Sequence, residues 1–272
     1  MFLSEPAESP ADIRFWLFGT HVRISPWFWV LTVVLGWDIV SDFDEMRTGL
    51  IYLMVWVVCV FFSILLHEFG HVWMGRLFGS HGHIVLHSFG GLAIGSNSLN
   101  RGWQRFLVSF AGPLIQLLFL AVLIVVGLGF GLLQPVPMGW FLQPPDAKAP
   151  LATALGFLLE INLFWPILNL FPIWPLDGGQ MSREVCAAVS PRDGAVFSLV
   201  ISAAVAGLLA LHCLYPRLLG RAIPILRYFG GVYLAIFFGY LCVQSIMALS
   251  ALNAARQRRY DYDDEDRFPW ER

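Results

Sequence analysis

The stretch FFSILLHEFGHVWMGRLFG, residues 61–79, decides the reading of this chain, because it sets two histidines and a glutamate inside an apolar run long enough to cross a bilayer. As a helix, it places His67 and His71 at i and i+4, one turn apart on one face, where both imidazoles reach a single metal ion. Glu68 stands beside the first histidine, so its carboxylate lies next to the metal rather than on it, where a general base for an attacking water is needed. In hydrocarbon such groups are costly unless paired or bound to metal, so an ionisable cluster at that depth points to a function.

The rest of the chain agrees with a membrane setting. Of its 272 residues 57% are hydrophobic and only 13% charged, and the mean hydropathy is +0.67. That balance excludes an ordinary water-soluble domain. The fold class it predicts is an all-α membrane protein with about six transmembrane helices, at roughly 26–40, 50–77, 105–133, 151–171, 194–215 and 223–250. The alternating stretch HGHIVLHSFGGLAIG, residues 81–95, predicts a small β-strand or hairpin near the cytoplasmic face. The Pro-rich residues 134–150 predict an external loop. Six crossings put both termini on one side. Twelve basic residues then fall on that side and five on the other, which makes it the cytoplasm.

Three segments follow: residues 1–25 as a cytoplasmic N-terminal segment, 26–250 as a polytopic membrane domain, and 251–272, basic then acidic, as a disordered cytoplasmic tail. The first sixteen residues lack the early positive charge of a secretory signal peptide, so the first apolar segment is expected to stay in the mature protein. A net charge of -2 gives no reason to expect nucleic acid as a partner. The four cysteines show no C-x-x-C spacing and read as packing.

Two histidines and a water leave tetrahedral zinc one protein ligand short. Glu160, in the fourth span, and Asp177, just after it in NLFPIWPLDGGQ (169–180), are the acidic candidates. Pro172 and Pro175 break the helix and Gly178 and Gly179 allow tight backbone, so Asp177 is the better placed to turn inward. The competing reading of Asp177 is an ordinary Asp-Gly turn at the membrane surface. His81, His83 and His87 alternate along the strand and read as polar residues near the headgroups rather than as a second metal site.

HEFGH at 67–71 together with NLFPIWPLDGG at 169–179 resembles the two signature motifs, HExxH and NxxPxxPLDG, of the site-2 protease family of intramembrane zinc metalloproteases. Ala111-Gly112-Pro113, Gly90-Gly91 and Asn162 extend the likeness over about residues 60–185. The resemblance implies one zinc per chain held by His67, His71 and Asp177, with Glu68 as catalytic base and Asn169 as an active-site residue. It also implies a compact form, without a PDZ-like or nucleotide-binding domain, in the cell (inner) membrane among its lipids. The implied substrate is a transmembrane segment of another protein, one trimmed first by an upstream site-1-type protease. The strand near residues 83–90 would offer an edge to an unwound substrate. Two other readings stand beside it: a polytopic transporter, which would also carry polar residues and broken helices at depth, and a non-catalytic scaffold of the same fold.

Overall fold

A computed structural model of the chain describes residues 7–41, 43–87, 90–135, 142–143, 150–219 and 231–265. The chain divides into two compact units, Met1–Leu170 and Phe171–Arg272.

The first unit begins with a hairpin within the N-terminal segment 1–25, where the sequence predicts no strand. Residues IRFWL and THVRI form β1 (Ile13–Leu17) and β2 (Thr20–Ile24), joined by Phe18 and Gly19 at φ 47 and 67. Two successive positive-φ residues are what a tight two-residue hairpin turn requires. Arg76 holds that turn: its guanidinium donates to the carbonyls of Phe18 (2.9 Å) and Gly19 (2.6 Å) and to Thr20 Oγ1 (2.8 Å).

After β2 come α1 (Pro26–Leu35), α2 (Asp38–Ser41) and the 32-residue α3 (Met46–Leu77). This crossover returns the chain to β3 (His83–His87), parallel to β2, and β4 (Gly90–Ile94) closes the order β1-β2-β3-β4. The sheet is two-sided. Phe15, Val22, Ile24, Ile84 and Leu86 pack with Ile64, Phe69 and Val72 of α3 in one core. The opposite pleat carries Arg14, Trp16, His21, Arg23, His83 and His87. On that face Arg23 pairs with Asp12 at 3.1 Å, with both side chains almost fully buried.

Because β3 lies between β2 and β4, it is not the free edge expected for residues 83–90. Among the described residues the edges of this sheet are β1 and β4, and β4 is the one beside β3. The unit is completed by α4 (Gly102–Gly129), a two-residue ladder of β5 (Gln134–Pro135) with β6 (Leu142–Gln143), and α5 (Pro150–Asn169). Of the predicted external loop, residues 136–141 and 144–149 lie outside the described residues. Helices α3, α4 and α5 pack against one another.

The second unit holds α6 (Asp177–Val189), α7 (Gly194–Leu219) and α8 (Val232–Glu265). Its core joins Ile173 to Ala206, Leu209 and Cys213 of α7 and to Ala235, Phe238 and Leu241 of α8. Residues 251–265, expected as a disordered tail, continue α8. The run ALNAARQRRYDYDDE contains no Gly or Pro and is rich in helix formers, so nothing in it stops the helix. Residues 266–272 lie outside the described residues, as do 223–230 of the sixth expected span.

Among the described residues five helices are long and apolar enough to cross a membrane, and the chain is an integral membrane protein. The first expected span, 26–40, is instead the short pair α1 and α2, broken at Gly36-Trp37. Residues Pro26–Ser41 reach about 24 Å as helix, short of the roughly 30 Å hydrocarbon core. Both termini share one side only if this pair counts as a sixth crossing.

Candidate metal centre

On α3, Ser63, His67 and His71 recur every four residues and so form one stripe. On α4, Val108, Gly112 and Gln116 do the same. The two stripes face each other in opposite directions, Ser63 and His67 meeting Gln116 and His71 meeting Val108. Small residues bring the helices close. A Cβ on Gly70 would lie 2.5 Å from the Ala111 carbonyl oxygen, and one on Gly112 would lie 2.3 Å from His71 Nε2 and 2.8 Å from His67 Nε2.

Hydrogen bonding then fixes both rings. The Val108 carbonyl can only accept, so His71 Nδ1, 2.7 Å away, carries the proton. Gln116 donates its amide to the Ser63 carbonyl at 3.1 Å, which turns Oε1 toward His67 Nδ1 at 2.8 Å and makes that nitrogen a donor too. A neutral ring so held presents its lone pair on Nε2, and the two Nε2 atoms stand 3.1 Å apart. Two buried lone pairs at that separation repel unless a cation lies between them. The donor set therefore fits a divalent metal, and imidazole suits zinc.

Glu68 is 4% exposed. Its carboxyl lies over the backbone of β4, where a Cβ on Gly91 would come within 2.4 Å of Glu68 Cδ and Oε1. Gly90 is required for two reasons: its φ is +113, and a Cβ there would meet the Trp165 ring at 2.9 Å. The Gly90-Gly91 pair thus admits the glutamate and the indole to the strand that ends the sheet.

Asn169, the last residue of α5, is buried and donates to the Trp165 carbonyl of its own helix at 3.0 Å. One of its two amide protons is thereby occupied.

Asp177 belongs to the second unit, where it is buried as the first residue of α6. Helix N-termini favour carboxylates, so the backbone helps hold it as an anion. The preceding loop is pinned from below: Trp174 N donates to Ser202 Oγ at 2.7 Å, and Ser202 Oγ in turn lies 2.6 Å from Ser245 Oγ. Gly179 lets the first turn of α6 sit on this loop, since a Cβ there would lie 2.5 Å from the Ile173 carbonyl.

Glu160 is exposed on α5. Asn162, two residues on, donates to Ser63 Oγ and the Leu158 carbonyl, both at 2.8 Å. His81, His83 and His87 form no three-donor cluster among the described residues. Sequence reasoning missed Gln116, although a lone glutamine one turn past Gly112 in an apolar helix is the signal that could have found it. Ser202 and Ser245 were missed as well, because serines in apolar helices are common and carry no comparable mark.

Comparison with known proteins adds an independent line. The sequence model described as peptidase family M50 matches residues 55–211. A protein of Synechocystis sp., provisionally named a zinc metalloprotease, is 31% identical over 176 residues, which are 62% of this chain and 42% of that protein. A zinc metalloprotease of Methanocaldococcus jannaschii is 29% identical over 210 residues, or 77% of this chain and 53% of that one. The chain thus spans about half the length of the curated relatives it matches. Among solved structures, the site-2 protease from Methanocaldococcus jannaschii is similar in fold, with a TM-score of 0.52 at 21% identity over 88% of this chain and 95% of that one.

Proposed function

The chain belongs to peptidase family M50, and on that premise we propose that it is a membrane metalloprotease that hydrolyses peptide bonds within or near transmembrane segments of other membrane proteins. Zinc is its cofactor. The observation that carries the reading is the pair of buried imidazoles whose lone pairs face each other at 3.1 Å. His67 and His71 would hold the zinc, and Asp177, from the PLDGG motif, is the proposed third protein ligand.

When bound, zinc supplies a Lewis acid that polarises the scissile carbonyl and lowers the pKa of water. The remaining work falls to the chain. Glu68 accepts the proton of the attacking water on its carboxylate and delivers it to the leaving amine nitrogen. Asn169 is proposed to steady the substrate backbone or the developing oxyanion. A helical substrate hides its carbonyls in its own hydrogen bonds, so it must unwind, and β4 is the edge proposed to receive it.

The proposed substrates are single transmembrane segments in the surrounding lipid, trimmed outside the membrane by a partner protease before this cut. The proposed location is the cell (inner) membrane, with both termini cytoplasmic and residues 26–250 as the protease domain.

The test is co-expression of the chain and its Glu68→Gln form with tagged single-span proteins. Glu68→Gln is expected to keep its zinc and to cut at least about a hundredfold more slowly. Equal cleavage by both forms removes Glu68 as the base, while zinc flux that is indifferent to Glu68 would favour a transporter.

A further inference from the structure

The two imidazoles are not supported in the same way. His71 donates to the Val108 main-chain carbonyl, a partner that no substitution at 108 removes. His67 donates to a side chain, Gln116, which is fully buried and is itself fixed by its bond to the Ser63 carbonyl. We infer that Gln116 is a positioning residue of the metal centre: it sets the tautomer of His67 and so the strength with which this site holds zinc. The inference rests on the reading of His67 and His71 as zinc ligands.

A neutral histidine bears one ring proton, and only a ring protonated on Nδ1 presents its Nε2 lone pair toward His71. The carbonyl oxygen of Gln116 imposes that state on His67, because it offers only an acceptor at Nδ1. The amide end cannot exchange places with it, since a reversed amide would aim its N–H₂ at His67 and its oxygen at the Ser63 carbonyl oxygen. Gln116 is thus locked in one orientation by α3 and locks a ligand on α3 in return. With leucine at 116, His67 Nδ1 would lose its acceptor and the ring would be free to place its proton on Nε2, where it opposes the metal.

Two variants of the full-length chain, purified in detergent, test this by zinc affinity, measured in competition with a chromophoric chelator. Gln116→Leu is expected to weaken zinc about 10- to 100-fold, the usual consequence of removing a group that orients a metal ligand. Gln116→Glu keeps an acceptor at His67 Nδ1 but cannot donate to Ser63, so it is expected to hold zinc close to the native affinity. Circular dichroism and monodispersity are recorded for both.

Native affinity in a folded Gln116→Leu chain overturns the inference. Equal weakening in Gln116→Glu also overturns it, since Gln116 would then act as a tie between helices through Ser63. If Gln116→Leu does not fold, the glutamate variant decides alone. A native chain that binds no zinc overturns the metal reading itself, an outcome distinct from the other two.

Discussion

The first unit carries its proposed ligands within a continuous helix, whereas the second carries its proposed ligand at the first residue of a helix, just after an irregular loop. His67 and His71 lie on a 32-residue helix and owe their aim to the neighbouring α4, through a main-chain carbonyl, a glutamine and the missing side chain of Gly112. Asp177 follows an irregular loop and owes its position to two serine hydroxyls and to Gly179. Regular structure fixes a side chain through its spacing, so a few contacts at the tip suffice. Irregular structure has no spacing to rely on, and its backbone polar groups must each find a partner.

If that contrast is right, the largest effect belongs to Gly112→Ala. The new Cβ would lie 2.3 Å from His71 Nε2, and the ring cannot swing aside without giving up its bond to Val108. Zinc content is expected to fall at least as far as in any Gln116 variant, by about 100-fold in affinity, with α3 and α4 still helical by circular dichroism. Native zinc binding in that variant would break the account of the first unit.

An intermediate effect is expected from Ser202→Ala, which leaves the Trp174 N–H without its acceptor. The cost should be about 1–3 kcal/mol of stability, seen as a lower unfolding temperature in detergent. Any loss of zinc should be smaller than for Gly112→Ala. If Ser202→Ala strips zinc at unchanged stability, the loop is aimed by this hydroxyl and not merely supported by it.

The smallest effect concerns the polar pleat of the sheet, which carries none of the proposed ligands. His87 titrates below the ordinary histidine range, first because burial disfavours its cation and then because Arg23 adds like charge. The unfolded chain therefore takes up a proton that the native chain resists. Stability is full above about pH 6.5 and declines as pH falls through that value. His87→Gln should flatten this slope in unfolding temperature measured from pH 7.5 down to 5.5, and an unchanged slope would assign it to other groups.

Much of this was legible in the sequence. Length and hydropathy located α3, α4, α5 and α7 to within about four residues at each end, whereas α8 runs to Glu265, well past the expected end at 250; the i, i+4 histidines marked the buried pair whose Nε2 atoms face each other. The N-terminal hairpin was not legible: its strands are only five residues long, one pleat carries Arg14, Trp16, His21 and Arg23, and its partner β3 lies some sixty residues downstream. The short pair α1 and α2 passed for a span because composition alone does not reveal the break at Gly36 and Trp37. Gly91 and Gly112 could be quoted from sequence as part of a likeness. Their reason, room for Glu68 and for two imidazoles, is visible only when the neighbouring element is in place.

Helix α8 runs without interruption for 34 residues, about 51 Å of rod against roughly 30 Å of hydrocarbon. Some 20 Å of it must therefore stand clear of the apolar layer or lean within it. Near that end Arg256 Nη1 meets Asp193 Oδ1 at 3.0 Å, at the turn between α6 and α7. Beyond its packing against α7, the rod is tied here to the turn that closes α6, so a pull or push on its charged end reaches the helix that begins with Asp177.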